Sequence, residues 1–224
     1  QALSLAPDAA RPLVALARSY LADKQPDQAL KRLAQAVESN PKNAVAQNLH
    51  GEVLASQKRL PEAEKALQQA RSINPQWTMP YRNLANLYFS QGETEKAKKV
   101  LREGLEATND NAELALLLAT LLQGSGDREG AIALYEQMMV KQPQSDVLAN
   151  NLAVLLAEDS TDQTRLDRAL ELAQRFEQSD SPVFLDTLGW IHYQRGELEK
   201  AVPLLERAVS ATLNVPTFHF HLGM

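Results

Sequence analysis

A spacing of 34 residues runs through this chain and restricts its fold more than any other feature. One alanine column, Ala29, Ala63, Ala97, Ala131, Ala169 and Ala201, has gaps of 34, 34, 34, 38 and 32. A small-residue column, Ala17, Gly51, Ala85, Ala119, Ala153, Gly189 and Gly223, has gaps of 34, 34, 34, 34, 36 and 34. A third holds Ala2, Ala36, Ala70, Gly104, Met138 and, later, Ala208. Pro7, Pro41, Pro75 and Pro143 make a fourth, with Asn109 in the gap. Shared periods of this length mark arrays of like units, each too small to bury its apolar face without neighbours.

Each period carries two amphipathic helices. Leu13, Leu16, Ala17 and Tyr20 recur at helical spacing in the first, and Ala29, Leu33 and Ala36 in the second. Turns separate them: Asp23-Lys24-Gln25-Pro26, Gln91-Gly92-Glu93 and Arg195-Gly196-Glu197 within periods, Ser39-Asn40-Pro41-Lys42-Asn43 and Ile73-Asn74-Pro75-Gln76 between them. Leu occurs 36 times and Ala 32, against 9 Gly, so propensity also points to an all-α protein. Pro203 lies deeper in its helix, which predicts a slight kink or a late start there.

This arrangement resembles the tetratricopeptide repeat (TPR). Gly189-Trp190 with Ala201, and Tyr81, Leu84, Ala85 and Tyr88 with Ala97, carry the resemblance. It implies a right-handed superhelical solenoid of helix-turn-helix units, with helix A of each unit lining the concave surface. Small residues belong where helices A and B cross. We expect six repeats at 10–43, 44–77, 78–111, 112–145, 146–181 and 182–215, residues 1–9 as the tail of a preceding helix B, and residues 216–224 as the start of a seventh. The chain starts at Gln1 and stops at Met224 inside a repeat, so it reads as a piece of a longer protein with apolar surface at both ends. Between Ala153 and Ala169 the spacing grows to 16 residues where other repeats use 12. The extra segment, Glu158 to Thr164, is expected to be a longer turn with Asp or Ser capping the next helix; a partner-specific protrusion is the alternative.

Little in the chain suggests chemistry. Cysteine is absent, so there is no thiolate nucleophile, disulfide or zinc finger. The net charge of −5 argues against nucleic acid. The longest predominantly apolar stretch, Leu114 to Leu122, is about half of a membrane span. His50 and His192 replace a usual Leu and Tyr and are expected in the core or half-buried. His219 and His221 are two apart, the wrong spacing for a metal pair on one helix face. No metalloprotease, phosphate-loop or nucleophile-elbow motif appears. We therefore expect no catalytic residue, metal or cofactor, and no enzyme. Lys96, Lys98, Lys99 and Arg102 read as a solvated face of a helix B.

The concave positions of helix A are the better candidates. One series is Val14, Asn48, Arg82, Leu116, Asn150, Asp186; a second is Arg18, Glu52, Asn86, Thr120, Val154, Trp190; between them run Ala15, Leu49, Asn83, Leu117, Asn151, Thr187. Arg18, Asn48, Arg82, Asn83 and Asn86 form a polar set, joined later by Asn150, Asn151 and Asp186. Asn can pair both groups of an extended backbone, and Arg can fork onto a carboxylate. Some TPR proteins clamp a peptide carboxylate in these columns. Glu52, Leu116 and Leu117 break that pattern here. Phe89, Leu116, Val154, Trp190 and Tyr193 turn the groove apolar towards the C-terminus; packing between repeats is the alternative role for Trp190 and Tyr193.

The phrases Asn150-Asn151-Leu152-Ala153, Arg168 to Ala173, Asp186 to Ile191 and His219 to Met224 resemble the C-terminal repeats of large bacterial TPR lipoproteins of exosortase (PEP-CTERM) exopolysaccharide systems. That likeness implies an envelope scaffold, periplasmic or outer-membrane-associated; a cytoplasmic location stays open. Three functions compete: a scaffold holding a peptide or partner helix, a self-associating scaffold stacking through its ends, and the regulatory arm of a larger enzyme. The expected partner is a protein or peptide.

Overall fold

The computed structural model describes residues 10–158, 162–212 and 215–224. The expected helix tail at 1–9 and the centre of the extra segment, Asp159-Ser160-Thr161, lie outside them. Among the described residues the chain is all-α, with thirteen helices: α1 Ala10–Ala22, α2 Pro26–Ser39, α3 Ala44–Ser56, α4 Leu60–Ile73, α5 Thr78–Ser90, α6 Thr94–Ala107, α7 Ala112–Gly124, α8 Arg128–Lys141, α9 Asp146–Ala157, α10 Gln163–Ala173, α11 Pro182–Gln194, α12 Leu198–Ala211 and α13 Pro216–Gly223. A 3-10 turn, Gln174–Phe176, follows α10.

Local chemistry sets the helix ends. Asn43, Asp127 and Ser145 each accept a hydrogen bond from the backbone N–H three residues on, at 3.0, 2.9 and 3.4 Å. Asp162 does the same for Thr164 at 2.9 Å. Each satisfies a donor that the first helical turn leaves unpaired, and Asp162 is the Asp cap expected after the extra segment. The tight turns share another device. Lys24, Lys58, Gly92, Gly126 and Gly196 all have φ between 55° and 80°. The next residue's N–H then reaches back five residues, as in Arg59 to Leu54 O at 3.0 Å and Glu93 to Tyr88 O at 2.9 Å. This left-handed helix stop favours Gly.

The chain forms two compact units, residues 1–121 and 122–224. In the first, consecutive helices pack on each other from α1 to α6, while α1 also meets α3 and α3 meets α5. Its core includes Leu13, Leu33, Leu54, Leu67, Leu84, Leu101 and Leu114. In the second, α8 packs on α9, α9 on α10, α10 on α11, α11 on α12 and α12 on α13; α9 also meets α11, and α11 meets α13. Met138, Leu148, Leu152 and Phe176 fill that core, with Phe176 stacked on Phe184 at 4.5 Å. Within each unit the odd-numbered helices thus line up as one layer.

Gly51 shows why the small-residue column exists. A Cβ there would lie 2.6 Å from Leu67 Cγ and 2.8 Å from its Cδ2. Gly189 stands in the same relation to Leu205, at 2.8 Å from both atoms.

One expectation needs correction, and one alternative falls away. Lys98 is buried, 5% exposed, whereas Lys96, Lys99 and Arg102 face solvent. Its aliphatic stem covers apolar surface while the ammonium reaches Glu95 at 2.9 Å. Helix α12 starts at Leu198 and continues through Pro203, so there is no late start.

Candidate partner-binding face

The polar residues of the odd-numbered helices sort by how they pair. In the first unit Asn48, 1% exposed, donates to Glu52 Oε1 at 2.8 Å. Asn83 of α5 donates to Asn48 Oδ1 at 3.0 Å and to Glu52 Oε1 at 2.5 Å. Glu52, which breaks the clamp pattern in sequence, is the acceptor at the centre of this network. The network ties α3 to α5 with charge-assisted bonds, stronger than neutral ones. Arg82 is half-buried and reaches Glu113 of α7 at 2.9 Å. Arg18 and Asn86 are exposed on α1 and α5 and take no part in the network, and Phe89 is 57% exposed.

The second unit repeats the geometry with other chemistry. His221 Nδ1 of α13 lies 3.0 and 2.9 Å from the two oxygens of Asp186 on α11. Asp186 is itself 6% exposed. Asn48 and Asn83 are 35 residues apart, and so are Asp186 and His221. One period plus one residue therefore places side chains opposite each other on neighbouring odd-numbered helices. Asn150 is also buried, but its Oδ1 has no partner. Its amide makes a long 3.4 Å contact to Asn151. Thr187 of the facing helix turns its hydroxyl onto Val183 O at 3.0 Å. Asn151 bonds the hydroxyl of Tyr135, whose pKa burial raises.

Trp190 stacks on His221 with ring centres 4.1 Å apart and on Tyr193 at 5.0 Å. Trp190 thus packs between neighbouring repeats, whereas Tyr193 stacks on it within α11. Trp190 also borders a cleft of about 280 Å³ between α9, α11 and α13. Val154, Ala157, Glu158, Asp186, Thr187, Trp190, Ile191, Gln194, Thr217 and His221 line it. Of the concave positions singled out in sequence, the cleft brings together Val154, Asp186, Thr187 and Trp190. Tyr193 supports Trp190 without lining it. Gln194 and Thr217 were not anticipated, and neither Glu158 nor His221 was expected in the groove. The 35-residue step from Asp186 would have found His221.

Elsewhere, the groups follow ordinary packing. Burial lowers the His50 pKa, aided by Arg59. Glu197 receives hydrogen bonds from Lys200, Arg195 and His192, which lower its pKa from 4.5 to about 2. Among the described residues no cluster of three His, Asp or Glu could hold a metal ion, and no helix is long and apolar enough to cross a membrane.

Sequence models of the tetratricopeptide repeat match residues 14–76, 54–121 and 184–213. A TPR repeat-containing protein of Pseudomonas aeruginosa is 31% identical over 194 residues, 84% of this chain and 32% of its own length. The chain thus spans about a third of that relative. Solved structures share the fold. YrrB, described as a TPR protein with an unusual peptide-binding site, has a TM-score of 0.60 at 18% identity, over 86% of this chain and 98% of its own. Pseudomonas aeruginosa PilF gives 0.63 at 15%, over 96% of each chain. PilW, a widely conserved type IV pilus biogenesis factor, gives 0.61 at 19%, over 95% of this chain and 98% of its own.

Proposed function

The chain belongs to the tetratricopeptide repeat family, and on that premise we propose that it is a non-catalytic scaffold that holds a peptide or partner helix against its odd-numbered helices. The observation that carries this reading is the cleft between α9, α11 and α13. Val154 and the rim of Trp190 offer apolar anchorage above the buried Ala157 and Ile191, while Gln194 and Thr217 offer hydrogen bonds to a backbone. Val154 is 43% exposed, so it is available to a partner.

The first unit offers a second contact set in Arg18, Arg82, Asn86 and Phe89. The Arg82–Glu113 pair is solvent-exposed on its acidic side and therefore weak. A partner carboxylate can replace Glu113 at little cost. Asn48 and Asn83 serve this face as a rigid backing, since their amides are already bonded to each other and to Glu52.

Panning a random peptide library on the purified chain tests the proposal. Selected peptides should quench or shift Trp190 fluorescence in a Trp77→Phe background. Val154→Glu should abolish their binding with helicity unchanged. Selected peptides that ignore Val154→Glu and every exposed change at Arg18, Arg82 and Asn86 would remove the face from consideration.

One observation favours self-association as a second reading. Phe220 and Met224 are each 59% exposed at α13. Light scattering at rising concentration would show dimers that Phe220→Ser abolishes. An envelope role follows from the likeness of the last third to exopolysaccharide lipoproteins. Fractionation of the source cells would place the protein with periplasmic and outer-membrane markers, or exclude that role.

A further inference from the structure

We propose that the cleft between α9, α11 and α13 selects a lysine or arginine side chain of the bound partner, its alkyl stem against Val154 and Trp190 and its cationic head between Glu158 and Asp186. This rests on the reading of the cleft as a peptide site.

Charge complementarity identifies the occupant. Two acidic residues, Glu158 and Asp186, line the cleft, and no Lys or Arg does. The nearby guanidinium of Arg128 does not fill the role, because it is committed to the carbonyl oxygens of Leu155 and Glu158. Among the described residues Asp186 accepts from a single nitrogen, His221 Nδ1. A carboxylate has about four lone-pair sites, so acceptor capacity remains. Its side chain is only 8% exposed, so water screens its charge poorly. Glu158 stands exposed at the C-terminal end of α9 and meets an incoming cation first.

The apolar part of the cleft fits the rest of such a side chain. Lys and Arg carry three or four methylenes behind the charge, and these pack on apolar surface while the head stays polar. A carboxylate ligand would instead meet Glu158 and Asp186 at close range, a repulsion that disfavours it. The cleft is therefore the opposite of a carboxylate clamp.

The test is the same random 12-residue peptide selection, sequenced in depth, on the native chain and on Glu158→Gln and Asp186→Asn. Both substitutions keep shape. Glu158→Gln is exposed and leaves the core untouched, so it remains informative even if Asp186→Asn loses helicity. Expected on the native chain is enrichment of Lys or Arg beside apolar residues. Binding of a fixed selected peptide should weaken about ten-fold in Glu158→Gln, the loss of one charge-assisted contact. Replacing its basic residue by norleucine should give a like loss, and the two losses should not add. Peptides that require Val154 but show no basic preference would overturn this inference and leave the groove reading standing. A basic preference unchanged in both variants would overturn it too. Failure to select any peptide would overturn both.

Discussion

Placing alanine at Gly51 tests the idea that helix separation in this array is set by one missing side chain. The added Cβ would sit 2.6 Å from Leu67 Cγ, 2.8 Å from Leu67 Cδ2 and 3.2 Å from Ala63 O. Leu67 is 1% exposed and cannot swing into solvent. Two opposed effects follow. Ala gains about 1 kcal/mol over Gly in a helix interior. Overpacking costs about 1–3 kcal/mol when neighbours must move. The α5–α6 pair limits the cost, since the corresponding positions hold Ala85 and Leu101, both buried. The helices can therefore part by a few tenths of an ångström. We expect a net loss of about 1 kcal/mol for Gly51→Ala, and about 3 kcal/mol or more for Gly51→Val, where two further methyls meet the same wall. Urea unfolding followed at 222 nm measures the total. Amide exchange in α3 and α4 localises it, because arrays can unfold in parts. In a Leu67→Ala background the clash is gone, and Gly51→Ala should become stabilising. A single Gly51→Ala variant stabilised by about 1 kcal/mol, the bare propensity gain, would refute the argument.

Lys58 has φ 59° in a turn whose counterparts include Gly92, Gly126 and Gly196; Lys58→Gly should therefore raise stability by up to about 1 kcal/mol in thermal melts. Asn150 and Asn48 should respond oppositely to leucine. Asn150→Leu should be neutral or stabilising, because its buried Oδ1 has no partner, whereas Asn48→Leu should cost about 2 kcal/mol by removing one hydrogen-bond partner each from Asn83 and Glu52, which keep only each other. Equal losses at both would show that neither amide acts through hydrogen bonding. Glu197 titrates at about 2 in the fold against 4.5 ordinarily. Its contribution is therefore complete above pH 4.5 and lost as pH falls towards 2. Glu197→Gln should flatten that acid limb, read as melting temperature against pH.

Much of the fold is legible in sequence because packing constraints recur with the period. Small residues at Gly51 and Gly189 and the glycine turns announce themselves as columns. The candidate site is harder to read. Columns compare like with like down the chain, whereas contacts cross from one column to the next. Asn48 and Asn83 stand in different series, so each looked like a free ligand group. Their 35-residue separation, shared by Asp186 and His221, is visible in sequence only once neighbouring helices are known to be offset by one residue. Lys98 misled for another reason: a residue scale treats it as one polar object, while its stem and its ammonium seek different surroundings.

The one-residue offset between facing helices also makes the modules non-interchangeable. Cutting out residues 78–111 would preserve every column and every turn. It would also bring Leu117 to the position of Asn83, opposite Asn48. The Asn48 Oδ1 would then face an alkyl group in a dry interior. Cutting out residues 44–111 instead would bring Leu117 opposite Val14, a joint with apolar residues on both sides. Polar rungs thus give some joints of the array an address, so that recombination between its own repeats is penalised at those joints and permitted at others.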